Sequence, residues 1–314
     1  MQDLRGMMSF PLTPFTADSR LDLDAFSGHV AALVSTGATG LFAACGTGEF
    51  PALSTGEYRD LVRTAVRVAD GRVPVFAGAG GGPEIARDFA AAAAESGADG
   101  LLLLPPYLVE CSPAGLVRHV RHVAEATPLP LLVYQRANAV LDPDAAVALL
   151  DVPTVVGLKD GRGDIEAIAR MVAAVRASGH PRAELFVFLN GLPTAELTAS
   201  AYAAVGAGGY SSAALCFVPD LATAFHRAMR DGDERTRRVL ESEFFLPFAE
   251  LRGRVPGYSV ALVKAGAALT GTPLGPVRPP LVDPEPPDLE RLERIIARGR
   301  DALARIETTE AVAR

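Results

Sequence analysis

Lys159 closes an apolar run, Val155-Val156-Gly157-Leu158, and is followed at once by Asp160 and Gly161. Stripping water from an ammonium disfavours its charged form, and a free amine attacks ketones. The resulting imine, once protonated, is an electron sink. Two roles are open for the residue taken alone: an amine placed to react, or a rim ion pair with a neighbouring carboxylate. Asp160 would make the ion pair easy, but adjacent strand residues point to opposite faces, so Asp160 is expected to face outward. Tyr134 ends a second apolar run, "LLVY". Its phenol could move protons to and from an imine-forming substrate, or simply cap a core.

A third element is the stretch "CGTGEF" from Cys45 to Phe50. The amides of Gly46, Thr47 and Gly48, with the threonine hydroxyl, could cradle a carboxylate; the plainer alternative is an ordinary strand-to-helix turn. "GAGGGP" at residues 78–83 lacks the third glycine of a nucleotide fingerprint and reads as a turn. His119 and His122 sit three apart between arginines on what should be a solvated helix face, and with no third ligand in view no metal site is expected. Cys45 has no histidine placed to activate it and reads as a small packing residue.

The elements that would position these groups alternate. Eight strand-like runs, "MMSFPLTPF", "GLFAAC", "VPVFAGAG", "GLLLLPP", "PLLVYQ", "VVGLKDG", "LFVFLNG" and "GGYSSAAL", are each followed by a helix-like stretch. Ser54 with Glu57 makes a capping box, while Ser112-Pro113 and Asp142-Pro143 each set a cap before a first-turn proline. "GATG", "GADG" and "GAGG", starting at Gly37, Gly97 and Gly206, stand where a helix ends and a strand begins. Strands apolar on both faces and separated by helices imply a parallel sheet, and eight such units close into a (β/α)8 TIM barrel. Its active site would gather at the carboxyl ends of the strands, bringing Thr47, Glu49, Tyr107, Tyr134, Arg136, Lys159, Asp160, Asn190, Ser211 and Ser212 to one mouth. The expected division is residues 1–230 as the barrel carrying the active site and 231–314 as a C-terminal helical region, including a connector at 271–288 that holds seven of the chain's 24 prolines.

Composition narrows the partners. The 314 residues, 49% hydrophobic with a net charge of -7, suffice for one large core and offer no basic surface for nucleic acid or anionic lipid. No run reaches the roughly 18 apolar residues that a membrane span needs. Three scattered cysteines, Cys45, Cys111 and Cys216, point to reduced thiols and a cytoplasmic setting.

Taken together, "GTGEF", "PPY", "VYQR" and "GLKDG", in that order, resemble the dihydrodipicolinate synthase and N-acetylneuraminate lyase superfamily over nearly the whole chain. Within it, "FAACGTGEF", "LLLLPPYL", "GLKDGRGDIE", "GLPTAE", "YSSA" and "FFLPF" are similar to the 5-dehydro-4-deoxyglucarate dehydratase branch. The resemblance implies that Lys159 forms a Schiff base with a 2-keto acid, that Tyr134 transfers protons, and that Gly46-Thr47-Gly48 holds the acid's carboxylate. The synthase branch has two successive threonines where this chain has Gly46 and Thr47, and a second tyrosine where it has Leu108, so the synthase's hydroxyl relay is missing. A diacid substrate would need a second anion site, for which Arg136, Asn190, Gly191, Ser211 and Ser212 are the candidates. The implied chemistry is dehydration with decarboxylation by the protein's own amine, with no metal or organic cofactor, in a homo-oligomer, tetramer or dimer. The alternatives are a retro-aldol lyase on a related 2-keto-3-deoxy sugar acid and a barrel that only binds a keto acid.

Overall fold

Eight parallel strands close on themselves in sequence order: β1 (Gly6–Ser9), β2 (Leu41–Ala43), β3 (Val75–Ala79), β4 (Gly100–Leu103), β5 (Leu131–Gln135), β6 (Val155–Asp160), β7 (Val187–Asn190) and β8 (Gly209–Ser212). Pairing of β1 with β8 completes the barrel, as the alternation implied. The structure is a computed structural model that describes residues 4–106 and 108–313, with side chains up to residue 309. Helices α1 (Leu23–Val34), α2 (Thr55–Ala69), α3 (Pro83–Glu95), α4 (Pro113–Ala124), α5 (Pro143–Ala148), α6 (Ile165–Ala177), α7 (Ala199–Ala204) and α8 (Pro219–Asp231) follow the strands in turn. The expected caps form: Ser54 and Glu57 make a reciprocal box, and Ser112 and Asp142 accept from Gly115 and Ala145. Gly37, Gly97 and Gly206 all take positive φ between helix and strand.

Alternation along each strand separates two cores. Residues facing away from the lumen join the helices in one large cluster; those facing inward form a second, including Met8, Phe42, Phe76, Leu132 and Leu189. Phe42 stacks between Phe10 at 4.7 Å and Phe76 at 4.9 Å, filling the lumen beneath the mouth. The Phe76 ring lies so close to β4 that a Cβ on Gly100 would stand 2.3 Å from it, so the strand must start with glycine.

Beyond α8 the chain runs through α9 (Glu234–Leu240), a π-turn at Glu241–Phe245, α10 (Leu246–Gly253), α11 (Tyr258–Leu269) and α12 (Pro286–Ala313). The π-turn ends two residues before Pro247, which cannot donate a helical hydrogen bond. Leu240, Phe244, Phe245, Phe248, Leu262 and Ile296 belong to the same core cluster as the barrel's outer face, so the two regions are packed as one body. No helix among the described residues is long and apolar enough to cross a membrane.

The proline-rich connector straps this helical region across the barrel mouth. Phe15 donates to the Leu274 carbonyl at 3.1 Å, and Gly275, at φ +72°, passes where any Cβ would stand 1.7 Å from the Phe15 carbonyl oxygen. Arg278 pairs with Glu57, donates to the carbonyls of Ser19 and Ala52, and lies 4.0 Å from the Phe15 ring centroid. Beneath the strap is a fully buried ion pair, Lys264 Nζ to Glu49 Oε1 at 2.8 Å, in which Lys264 also donates to Pro276 and Glu49 also accepts from the Arg278 amide. Burial pushes Lys264 below the ordinary lysine range, and Glu49 opposes that push. Lys264→Met should cost about 3–5 kcal/mol in urea unfolding followed by circular dichroism, because it leaves a buried carboxylate unpaired. The double variant with Glu49→Gln should recover most of the loss; an unchanged single variant would show that the pair does not hold the strap.

Candidate active site

Parity decides what reaches the lumen. Leu131 pairs with Val155 but Leu132 with Gly157, so β6 carries one extra residue, Val156, relative to β5. Beyond this irregularity Leu158 packs outward, Lys159 faces the lumen and Asp160 faces outward, as expected of neighbours in a strand. Tyr134 stands beside Lys159 in register on β5. Lys159 is 5% exposed, with Nζ 3.9 Å from the Tyr134 ring centroid and 4.7 Å from that of Phe10. Among the described residues it forms no ion pair, so the rim salt bridge left open by the sequence is absent.

Asp160 instead builds the scaffold behind the site. It accepts from Gln135 at 2.7 Å, from Tyr202, and from the amides of Arg162 and Gly163 at 3.2 and 3.1 Å, fixing the turn after β6. Two glycines leave room for Lys159 and Tyr134. A Cβ on Gly161 would stand 2.7 Å from the Tyr134 hydroxyl, and one on Gly191 would stand 2.7 Å from Lys159 Cγ. Tyr134 donates to the Gly191 carbonyl at 3.1 Å, which ties the phenol to the turn after β7. Cys45 lies beside the lysine, but burial pushes its thiol up to about 12, leaving a packing residue as expected.

A cavity of about 270 Å³ opens above this pair. Gly46, Thr47, Tyr134, Arg136, Lys159, Gly191 and Ser211 all line it, so seven of the sequence-derived candidates converge. Gly48 supports the turn from behind, its carbonyl accepting from Thr13 at 2.6 Å, and Glu49 continues the turn at φ +55° into the buried pair with Lys264. Asn190 and Ser212 do not reach the cavity. Each follows an inward-facing residue, Leu189 or Ser211, and alternation turns it outward. Asn190 bonds Ala195, Thr198 and Leu192; Ser212 donates to the buried Glu196 at 2.6 Å. Tyr107 lies outside the described residues. His122 pairs with Glu84 at 2.7 Å on the barrel's outer surface.

The site is not confined to residues 1–230. Arg252, Gly257, Ser259 and Leu281 complete the cavity wall from the helical region and its strap. Arg252 sits among helical residues with no strand end nearby, and local sequence gives no cue to its placement. A compositional cue did exist for the amine: only two of the chain's 30 Lys and Arg residues are lysines, Lys159 and Lys264, and both are buried.

A (β/α)8 barrel with a desolvated lysine against a tyrosine at its carboxyl-end mouth is the class these features define. Residues 3–298 match the model of the dihydrodipicolinate synthetase family, and the chain belongs to that family. It is 51% identical to a probable 5-dehydro-4-deoxyglucarate dehydratase 1 of Streptomyces coelicolor, over 94% of this chain and 93% of that one. A probable 5-dehydro-4-deoxyglucarate dehydratase of Streptomyces griseus is 48% identical, over 97% and 94%. Among solved structures, dihydrodipicolinate synthase from Oceanobacillus iheyensis superposes with a TM-score of 0.85 at 25% identity, covering 94% of this chain and 96% of that one. A prophage protein of the dihydrodipicolinic acid synthase family from E. coli K12, in complex with pyruvate, gives 0.84 at 26% identity, covering 94% and 98%.

Gly191→Ala should push Lys159 off its present line and lower kcat/KM by on the order of 100-fold, the penalty typical of about 1 Å misplacement of a reacting group. The chain should keep its far-UV circular dichroism; unchanged kinetics would mean that the lysine does not need the space Gly191 leaves.

Proposed function

We propose that the protein is a lyase that converts 5-dehydro-4-deoxy-D-glucarate to 2,5-dioxopentanoate, water and carbon dioxide through a Schiff base on Lys159. The observation that carries this reading is the Lys159 amine, buried against the Tyr134 ring and free of ion pairs among the described residues. Relatives named as probable 5-dehydro-4-deoxyglucarate dehydratases at 45–51% identity support the choice of substrate.

The steps follow from the electron sink. Lys159 condenses with the ketone and releases water, while the Gly46–Thr47 turn receives the adjacent carboxylate. Tyr134 relays the protons of imine formation. Loss of a proton from the neighbouring methylene gives an enamine, which expels the β-hydroxyl as water. The conjugated iminium then takes the electron pair of the carbon–carbon bond to the distal carboxylate, which departs as carbon dioxide. Protonation and hydrolysis return the amine and leave 2,5-dioxopentanoate. The chain's own amine supplies the polarisation, so the scheme calls on no cofactor. A cytoplasmic homo-oligomer, tetramer or dimer, is proposed with it on the family resemblance.

Purified protein given 5-dehydro-4-deoxyglucarate should release carbon dioxide and 2,5-dioxopentanoate; pyruvate instead would establish the retro-aldol reaction. Tyr134→Phe should lower kcat by about 10²–10⁴, and full activity in that variant would remove the tyrosine from proton transfer.

A further inference from the structure

Three cations are buried around the mouth. Lys264 has Glu49 at 2.8 Å, and Lys159, 5% exposed, is the amine proposed above to form the Schiff base. The third, Arg252, is 7% exposed and lines the same cavity as Lys159. Its Nη1 donates to the Pro193 carbonyl and to Thr194 Oγ1 at 3.3 Å, and its Nη2 to the Ser259 carbonyl at 2.8 Å. Its Nε has no hydrogen-bond partner, and among the described residues no carboxylate stands within ion-pairing distance. Every partner it has is neutral.

The arrangement is expensive, since a buried charge without a counterion loses hydration and gains little in exchange. Phe248, whose ring centroid is 5.2 Å away, offsets only part of that loss. Glu196 is the acidic group whose field reaches Arg252, but it accepts from Ser212, and burial raises its pKa and favours its neutral form. Burial also pushes the guanidinium down to about 10, which still leaves it charged at neutral pH. Neutral acceptors hold the fork in place and do not discharge it, and such a fork suits a carboxylate.

Position supports the same ligand. Arg252 is anchored to Pro193 and Thr194, just past β7, whereas the Gly46–Thr47 turn follows β2, three strand places away around the closed barrel. A keto acid with its first carboxylate on that turn and its ketone at Lys159 would carry its far end across the cavity. We propose that Arg252 binds this distal carboxylate and thereby selects a 2-keto diacid over a monoacid. Arg136, which the sequence suggested for this role, is exposed and needs no counterion. The inference rests on the lysine reading above. One consequence follows for turnover: when the distal carboxylate leaves as neutral carbon dioxide, Arg252 loses its counterion, and the product keeps only the carboxylate at the turn.

The test uses two probes of equal chain length, 2-oxoadipate and 2-oxohexanoate, titrated calorimetrically into the wild type and Arg252→Met. The wild type should prefer the diacid by at least about tenfold, and the variant should lose that preference with its monoacid affinity kept within about twofold. Arg252→Lys, which keeps the charge without the fork, should show a smaller preference than the wild type and serves if the methionine variant does not fold. A preference as large in the variants as in the wild type, or absent from the wild type, overturns the assignment. Borohydride trapping on the same samples separates the two claims. Adducts with both acids but no diacid preference would refute Arg252 alone, whereas an arginine-dependent preference without adducts would uphold Arg252 and refute the Schiff base.

Discussion

One extra residue in β6, Val156, sets the direction in which Lys159 points, and most of the site depends on it. Strand side chains alternate strictly, so a shift of one residue exchanges lumen for outer face along the rest of the strand. With the irregularity between Val155 and Gly157, the amine enters the lumen above the stacked Phe10, Phe42 and Phe76, and Asp160 goes to the outer layer to organise Gln135, Tyr202 and the following turn. The opposite phase would have placed a carboxylate in the mouth and a cation among outward-facing core residues. The amine's freedom from a counterion and the rigidity of the turn behind it therefore share one cause.

Charge is distributed around that constraint. Glu49, which could have neutralised the mouth, is drawn under the strap by Lys264 and the Arg278 amide, and Asp160 is turned outward. Glu196, the remaining buried carboxylate near the cavity, accepts from Ser212. The cavity is left with cations and hydrogen-bond donors, a surface that attracts an acid without a basic exterior. The helical region thus does more than cover the barrel, because it supplies Lys264, Arg252 and the strap that fix or complete the mouth.

Much of this was legible in the sequence. The alternation of apolar runs and capped helices specified the barrel, and Lys159, Tyr134 and the Gly46–Thr47 turn were each visible at strand ends. Asn190 and Ser212 were over-assigned because position at a strand end was weighed without parity; two adjacent serines cannot both face the lumen. Arg252 was missed for a different reason. Its place in the cavity depends on how α10 packs against the turn after β7, a long-range contact that leaves no periodic mark in the residues around it.

Whether Lys159 is the amine that bonds to substrate is simple to check, because the chain has only two lysines. The protein would be incubated with pyruvate and borohydride, digested, and its peptides mapped by mass. A reduced adduct is expected on the peptide carrying Lys159 and none on that carrying Lys264. An adduct on Lys264, or no adduct on either lysine, would contradict it.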